Sequence, residues 1–312
     1  MKTSARWLLA LAFGAALLIT APLALAGNGG HSAGADRTAN SADDRGCEDG
    51  SADRNRKIGL HGDLDVVGLT SNQRLICFQE DDPRDAEKIG KVRGLNGDDR
   101  LVGIDYRPAT GDLYGLGNNG GVYVVDDESA QVTLRSRLSV PLDGTAFGVD
   151  FNPTVDRLRI VSDTGQNLRD NVDADGDTLT DTTLSYPGPP PMTAVGVTGA
   201  AYTNNDADPN TATTLYDVDS MLDQTVIQSP ANSGLLAATG KLGVDTGPSV
   251  GFEIYSSVRN GTTVDVKGLA ALTVGARSRF YEITLFNGQA SSQGAFSPRH
   301  EVIGIAIPLN QR

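Results

Sequence analysis

The chain repeats itself, and the repeat restricts its fold more than any other feature. Gly103-Ile104-Asp105-Tyr106-Arg107-Pro108 returns as Gly148-Val149-Asp150-Phe151-Asn152-Pro153, with the two glycines 45 residues apart. Leu113 then falls on Leu158, and Gly120 on Gly165. A period of this length, built from short alternating apolar segments and glycine turns, is what one supersecondary unit copied around an axis produces. The apolar runs are rich in Val, Ile, Leu and Tyr, and no long amphipathic helical periodicity interrupts them. The reading is an all-β chain folded as a β-propeller, each repeat one blade.

Four units are complete. The first has strands expected near 101–106, 112–116, 121–125 and 131–138, with Asn118-Asn119-Gly120-Gly121 supplying the positive φ of a tight hairpin. The second is expected at 147–151, 157–162, 167–172 and 182–186, before Pro187-Gly188-Pro189-Pro190-Pro191 removes the ladder donors. The third is expected at 196–203, 214–219, 224–228 and 235–241. The fourth starts at Gly251-Phe252-Glu253-Ile254 and continues through 264–274, 279–285 and 289–295, with Asn260-Gly261 and Asn287-Gly288 as turns. Asn260-Gly261-Thr262 also fits a glycosylation sequon but reads better as a hairpin. At the ends, 64–70, 74–79 and 88–95 resemble second, third and fourth strands without a first, and Glu301 to Pro308 resembles a first strand alone. Joining them gives a fifth blade made from both termini, which closes the ring and leaves no open sheet edge. Five blades is the count; six requires a long connection that conceals further strands.

Residues 1–26 combine Lys2 and Arg6, an apolar run from Trp7 to Leu18, and Ala24-Leu25-Ala26, the pattern of a cleaved signal peptide. Residues 27–57 hold little that is apolar beyond alanine and Cys47, so they read as a disordered polar linker, and the propeller domain as 58–312. Without Lys2 and Arg6, 24 basic side chains face 39 acidic ones. Such a surface repels nucleic acid and anionic membrane. A secreted or periplasmic protein follows, a monomer with no membrane insertion after cleavage. In an oxidising compartment Cys47 and Cys77 either form a disulfide or remain a mobile and a buried thiol.

The runs GIDYRPATGDLYGLG (103–117), GVDFNPTVDRLRIVSDTGQNLR (148–169) and GAAYTNNDADPNTATTLYDVD (199–219) resemble a bacterial secreted family known only as a domain of unknown function with propeller-like repeats. The resemblance spans nearly all of 64–309. It implies the fold and the location, and brings no activity or ligand with it.

Three acidic groupings are candidates for chemistry. Asp173, Asp175, Asp177 and Asp181 fall at positions one, three, five and nine of a tight loop, where alternating oxygens can wrap calcium. Thr178 replaces the glycine of position six, Leu184 replaces the glutamate of position twelve, and no helices flank the loop, so a solvated hairpin turn is the competing reading. Asn204-Asn205-Asp206-Ala207-Asp208-Pro209-Asn210 offers oxygens too, but these residues make ordinary turns. Asp105, Asp150 and Glu253 occupy the same position in three innermost strands, with Ala201 and Ala306 in the other two. They are placed either to hold a metal in the channel, as in propeller lactonases and phosphotriesterases, or to satisfy backbone donors at each blade. His31, His61 and His300 sit in no nucleophile motif, and no phosphate loop or zinc-spaced cluster occurs. The tyrosines Tyr106, Tyr114, Tyr123, Tyr202 and Tyr216 follow the repeat and suggest packing between blades.

These features favour a secreted, non-catalytic binding module for an extracellular glycan or protein, with calcium as a structural ion and the loops at 163–181 and 203–213 as its recognition surface. A metal-dependent hydrolase or lactonase using Asp105, Asp150 and Glu253, and a structural envelope or matrix protein, are the alternatives.

Overall fold

The computed structural model describes residues 64–311, apart from Pro209, Asn260, Gly261 and Asn310. The expected signal peptide at 1–26, the expected linker at 27–57, Cys47, His31, His61 and the expected turn at Asn260-Gly261 lie outside the described residues. Cys77 is disulfide-bonded.

β1 (Asp65–Thr70), β2 (Arg74–Gln79) and β3 (Asp82–Lys91) begin the ring. β4 (Leu101–Tyr106), β5 (Leu113–Gly117), β6 (Gly121–Val125) and β7 (Val132–Arg137) form the second blade. β8 (Phe147–Asn152), β9 (Arg157–Ser162), β10 (Asn167–Asp170) and β11 (Thr178–Thr180) form the third. A small hairpin, β12 (Ser185–Tyr186) with β13 (Met192–Thr193), leads to the fourth blade: β14 (Val197–Tyr202), β15 (Leu215–Asp219), β16 (Gln224–Gln228) and β17 (Leu236–Lys241). β18 (Thr246–Arg259), β19 (Thr262–Val274), β20 (Arg277–Ile283) and β21 (Ala290–Ala295) form the fifth, and β22 (Val302–Ala306) returns to complete the first in the order β22-β1-β2-β3. The inner strands touch in sequence, β4 to β8, β8 to β14, β14 to β18, β18 to β22 and β22 to β4, so the circle is closed. This is the five-bladed propeller the repeat predicts, latched by the two chain ends. Among the described residues no helix is long and apolar enough to cross a membrane.

The closing register is Val67↔Ala306, Gly68↔Ile305 and Leu69↔Gly304. Gln311 clips the seam by accepting a hydrogen bond from the Asp65 amide at 2.7 Å and donating to the Asp65 carbonyl at 2.8 Å. Five apolar clusters fill the molecule, each shared between adjacent blades. Phe78 of the first blade, for instance, packs edge-on against Phe280 and Phe296 of the fifth at 5.0 and 4.9 Å. Inner strands are covered on both faces, which is why β4 is buried throughout while β3 is largely exposed.

Near the axis lie the aligned glycines Gly103, Gly148, Gly199, Gly251 and Gly304, and Gly148 and Gly251 lie against the backbone of the neighbouring inner strand. A Cβ on Gly148 would lie 2.6 Å from the Ala200 nitrogen and from the Gly199 carbonyl carbon, whereas one on Gly304 would meet Ile104 at an ordinary 3.7 Å. Gly148→Val is therefore expected to cost about 3 kcal/mol or more, and Gly304→Ala less than about 1 kcal/mol. Denaturant melts of the two variants check this; equal costs would show that the axis is not packed backbone to backbone.

Three expectations are corrected. The fourth strand of the third blade is β11, not 182–186: Leu184 is fully buried as a plug between the third and fourth blades, and Ser185–Tyr186 pairs with Met192–Thr193 instead. β3 begins at Asp82, just past a tight turn, rather than at Lys88. The β18–β19 hairpin extends beyond its sheet as a two-stranded arm, because β20 joins β19 only from Gly268 onward.

Candidate functional site

The inner strands all run the same way along the channel, so their third and fourth repeat positions converge at one end. Asp105, Asp150 and Glu253 meet there, and one carboxylate oxygen from each lies within 4.8 Å of the others. All three side chains are buried.

Their hydrogen bonds follow the repeat. The channel-facing edge of each inner strand has backbone amides that no strand can pair. Asp105 accepts from the Phe151 amide of the next blade at 2.7 Å, and Asp150 from the Tyr202 amide of the next at 3.2 Å. Ala201 cannot serve the Ile254 amide in the same manner. The longer Glu253 folds back and accepts from it at 2.7 Å. Ala306 leaves the same gap at Tyr106, and Asp105 also accepts from that amide. The acids thus perform the repeated structural role and also converge at a single point.

Burial raises all three acids, and the charges of neighbouring carboxylates raise Asp150 and Glu253 further. Asp105 is pushed up to about 7, by burial above all, against the pull of the Phe151 amide, the Glu253 side chain and the Tyr106 amide. Asp150 rises well above the carboxylate range through burial, then through the charges of Asp105 and Glu253. Glu253 rises through burial, then through Asp105. Such a cluster either retains protons or takes up a cation.

The three carboxylates line a cavity of about 20 Å³ together with Tyr202, Tyr255 and Asn204. A water needs roughly 10–15 Å³ on this measure. The space fits an ion or a water, not an organic substrate. At the opposite end the channel is walled by backbone and apolar side chains, including Ile104, Phe147 and Phe252.

Asn204 lines the carboxylate cavity from the loop that follows β14. It has φ +84, a conformation asparagine tolerates better than most residues. Its amide donates to Ser256 Oγ at 2.8 Å, while Asn205 Oδ1 accepts from the Ser256 amide at 2.9 Å, so this loop is tied to the base of the β18–β19 arm. The rest of the loop is a run of turns closed by its own side chains: Asn204 accepts from the Asp206 amide, Asp206 from the Asp208 amide, and Asp208 from the Asn210 amide. The turn reading of 204–210 accounts for this segment.

The structure spreads the other acidic group apart. Asp173 binds Arg107 and Arg135, and Arg107, ahead of Arg135, holds its carboxyl well below the usual range. Asp175 accepts from the Arg137 amide at 2.8 Å, and Asp177 from Asn171 Nδ2 at 3.1 Å. Asp181 is buried between Arg159, at 2.7 Å, and Arg169, at 3.1 Å. Asp173, Asp175, Asp177 and Asp181 thus each serve different partners, and Asp105, Asp150 and Glu253 form the one convergent acid group among the described residues. The loop is a clasp from the third blade to the second: Arg107 also bonds Asp156 at 2.8 Å and lies over the Tyr114 and Phe151 rings. The span 163–181 does not form one surface either, since the β9–β10 turn at 163–166 lies at the apolar end of the channel.

Sequence reasoning placed Asn204 only in a turn, and it missed the arginine clasp and Asp217. The last is fully buried on β15, with both oxygens lacking a hydrogen-bond partner among the described residues, and its charge adds to the rise of Asp150. Its signal was the Asp217-Val218-Asp219 alternation inside an otherwise apolar strand. His300 is buried and lowered by burial and by the nearby cations Lys88, Arg299 and Arg74, and it is not among the described residues that line the cavity of the channel acids.

Similarity to solved structures is partial and at low identity. A structural genomics protein of unknown function from Bacteroides thetaiotaomicron is 9% identical, with a TM-score of 0.43 over 57% of this chain and 45% of that one. An auxiliary nutrient binding protein from Bacteroides ovatus is 12% identical, with a TM-score of 0.35 over 56% and 46%. A xyloglucanase from Xanthomonas campestris is 15% identical, with a TM-score of 0.37 over 78% and 42%. The chain spans less than half the length of each. No curated protein matches the sequence. Residues 74–306 match the family model described as Domain of unknown function (DUF4394), and the chain belongs to that family.

Proposed function

We propose that this propeller is a secreted, monomeric, non-catalytic binding module that meets an extracellular ligand at the carboxylate end of its channel. The observation that carries the reading is the size of the channel cavity. At about 20 Å³ it has no room for a reacting organic group, and its acids are bonded to backbone amides. Recognition then belongs to the surface around the mouth. There the loop after β14 is stapled to the arm, an arrangement that pre-organises the surface for binding. The arm bears exposed Val258, Val264 and Val266, at 40%, 54% and 40% exposure. Apolar side chains on a projecting ribbon favour a protein ligand over a glycan.

The test is binding of the purified propeller to extracellular protein fractions and to a glycan array. The triple variant V258S/V264S/V266S is the comparison, and it is expected to lose the protein ligand while melting like the wild type. Silence on both, or binding indifferent to the variant, removes the reading. The convergence of Asp105, Asp150 and Glu253 favours a second reading, a metal-dependent hydrolase or lactonase. Turnover of lactones or phosphoesters with added calcium or manganese, abolished by Asp150→Asn, would replace the first reading with this one.

A further inference from the structure

We propose that Asp105, Asp150 and Glu253 jointly bind one hard divalent cation, calcium by preference, at the centre of the ring. The first argument is geometric. Calcium–oxygen bonds run roughly 2.3–2.6 Å, so two ligands on opposite sides of one ion stand about 4.6–5.2 Å apart. The three acids offer oxygens within 4.8 Å of one another. The amides of Phe151, Tyr202 and Ile254 occupy Oδ2 of Asp105, Oδ1 of Asp150 and Oε1 of Glu253, which leaves one oxygen of each carboxylate outside these bonds.

The second argument concerns charge. Three buried carboxylates share one cavity, and among the described residues no lysine, arginine or histidine lines it. Elsewhere the chain neutralises its acids with arginine, as at Asp173 and Asp181. Here it supplies none.

The third observation is independent of the acids. Asn204, only 6% exposed, lines the same cavity, and its Nδ2 has no acceptor among the described residues. A buried amide donor without a partner is costly. An oxygen held on a central ion, from a water or from the end of a ligand, would supply the missing acceptor. The all-oxygen donor set selects calcium, magnesium or manganese over zinc, and the spacing suits calcium better than the shorter bonds of magnesium. A cation here would draw together the second, third and fifth blades, which contribute the three acids. The inference goes beyond the recognition surface and does not depend on the arm or its ligand.

The experiment uses the full chain, treated with chelator and titrated calorimetrically with calcium. In parallel, terbium is titrated and its luminescence read under tyrosine excitation, because Tyr106, Tyr202 and Tyr255 line the cavity. Asp150→Asn and Glu253→Gln keep a carbonyl oxygen for the Tyr202 and Ile254 amides, so both should fold; Asp105→Asn is the substitute should either fail. One ion per chain is expected. Affinity should fall roughly tenfold or more in each channel variant and be unchanged in D173N/D175N. Three outcomes overturn the proposal: no saturable binding up to about 10 mM, beyond the range of extracellular calcium modules; equal affinity in the channel variants; or loss of binding in D173N/D175N instead.

Discussion

A chain that stops after His300 is expected not to fold, although it keeps four complete blades and three strands of the first. β22 is the innermost strand of the first blade, and it carries buried Val302, Ile305 and Ala306, with Ile307 just beyond. These residues belong to two clusters, one shared with the second blade and one with the fifth. Burying three large aliphatic side chains is worth roughly 5–8 kcal/mol. That approaches the roughly 5–15 kcal/mol by which a domain is stable at all. Its loss also uncovers the ladder edge of β1 and the flanks of β4 and β18, which invites pairing with other chains. The truncated chain should therefore lack a cooperative melt and elute as aggregate, and a peptide covering 301–312 added in trans should restore part of the transition. A truncated protein that melts cooperatively near the wild-type temperature would show that the ring does not need its latch.

The parts of this architecture readable from sequence are those squeezed between two blades. Inner strands pack on both faces, so Gly-x-acid-aromatic recurs with little freedom, and their boundaries and the alignment of Asp105, Asp150 and Glu253 were legible. Outer strands obey no such pattern. β11 has Leu179 46% exposed, and β3 reads DPRDAEKIGK; each is held by backbone pairing that composition does not reveal. Leu184 drew the expected strand toward itself because a buried leucine in a loop and one in a strand look alike in sequence.

The acidic loop illustrates a different limit. Asp173, Asp175 and Asp177 have the spacing of calcium ligands, but the side chains and amide that meet Asp173 and Asp175 come from Arg107, Arg135 and Arg137 in the second blade. Local spacing cannot register partners 38 to 66 residues away. The place of Asn204 beside the channel acids was invisible for the same reason: it is aimed by a left-handed turn and by Ser256, 52 residues later.

The channel acids set the second large expectation: in chelator, the protein should be more stable at pH 5 than at pH 8. Asp105 is pushed up to about 7 from 3.8, and Asp150 and Glu253 are raised well above the carboxylate range by burial and then by neighbouring carboxylates. Between those values and the unfolded ones the folded chain holds protons that the unfolded chain has released. Stability is then fully present below about pH 4 and is lost as pH rises through 7. For Asp105 alone the difference at pH 8 is about 4 kcal/mol, at about 1.4 kcal/mol per unit. Asp173, lowered by Arg107 and Arg135, acts the other way, but its contribution is already complete above about pH 5. His300, lowered mainly by burial, opposes the trend only as pH falls through its unfolded value near 6.5. Asp150→Asn and Glu253→Gln remove ionisable members of the cluster and leave His300 untouched, so each should flatten the slope between pH 6.5 and 8. Denaturant-derived stability at pH 5, 6.5 and 8 measures all of this. A wild-type curve that is flat or rises toward pH 8 without metal would mean that the three acids do not share one dry, uncompensated pocket. If a cation occupies that pocket, millimolar calcium should restore most of the lost stability at pH 8 and change little at pH 5, where protons already fill its place.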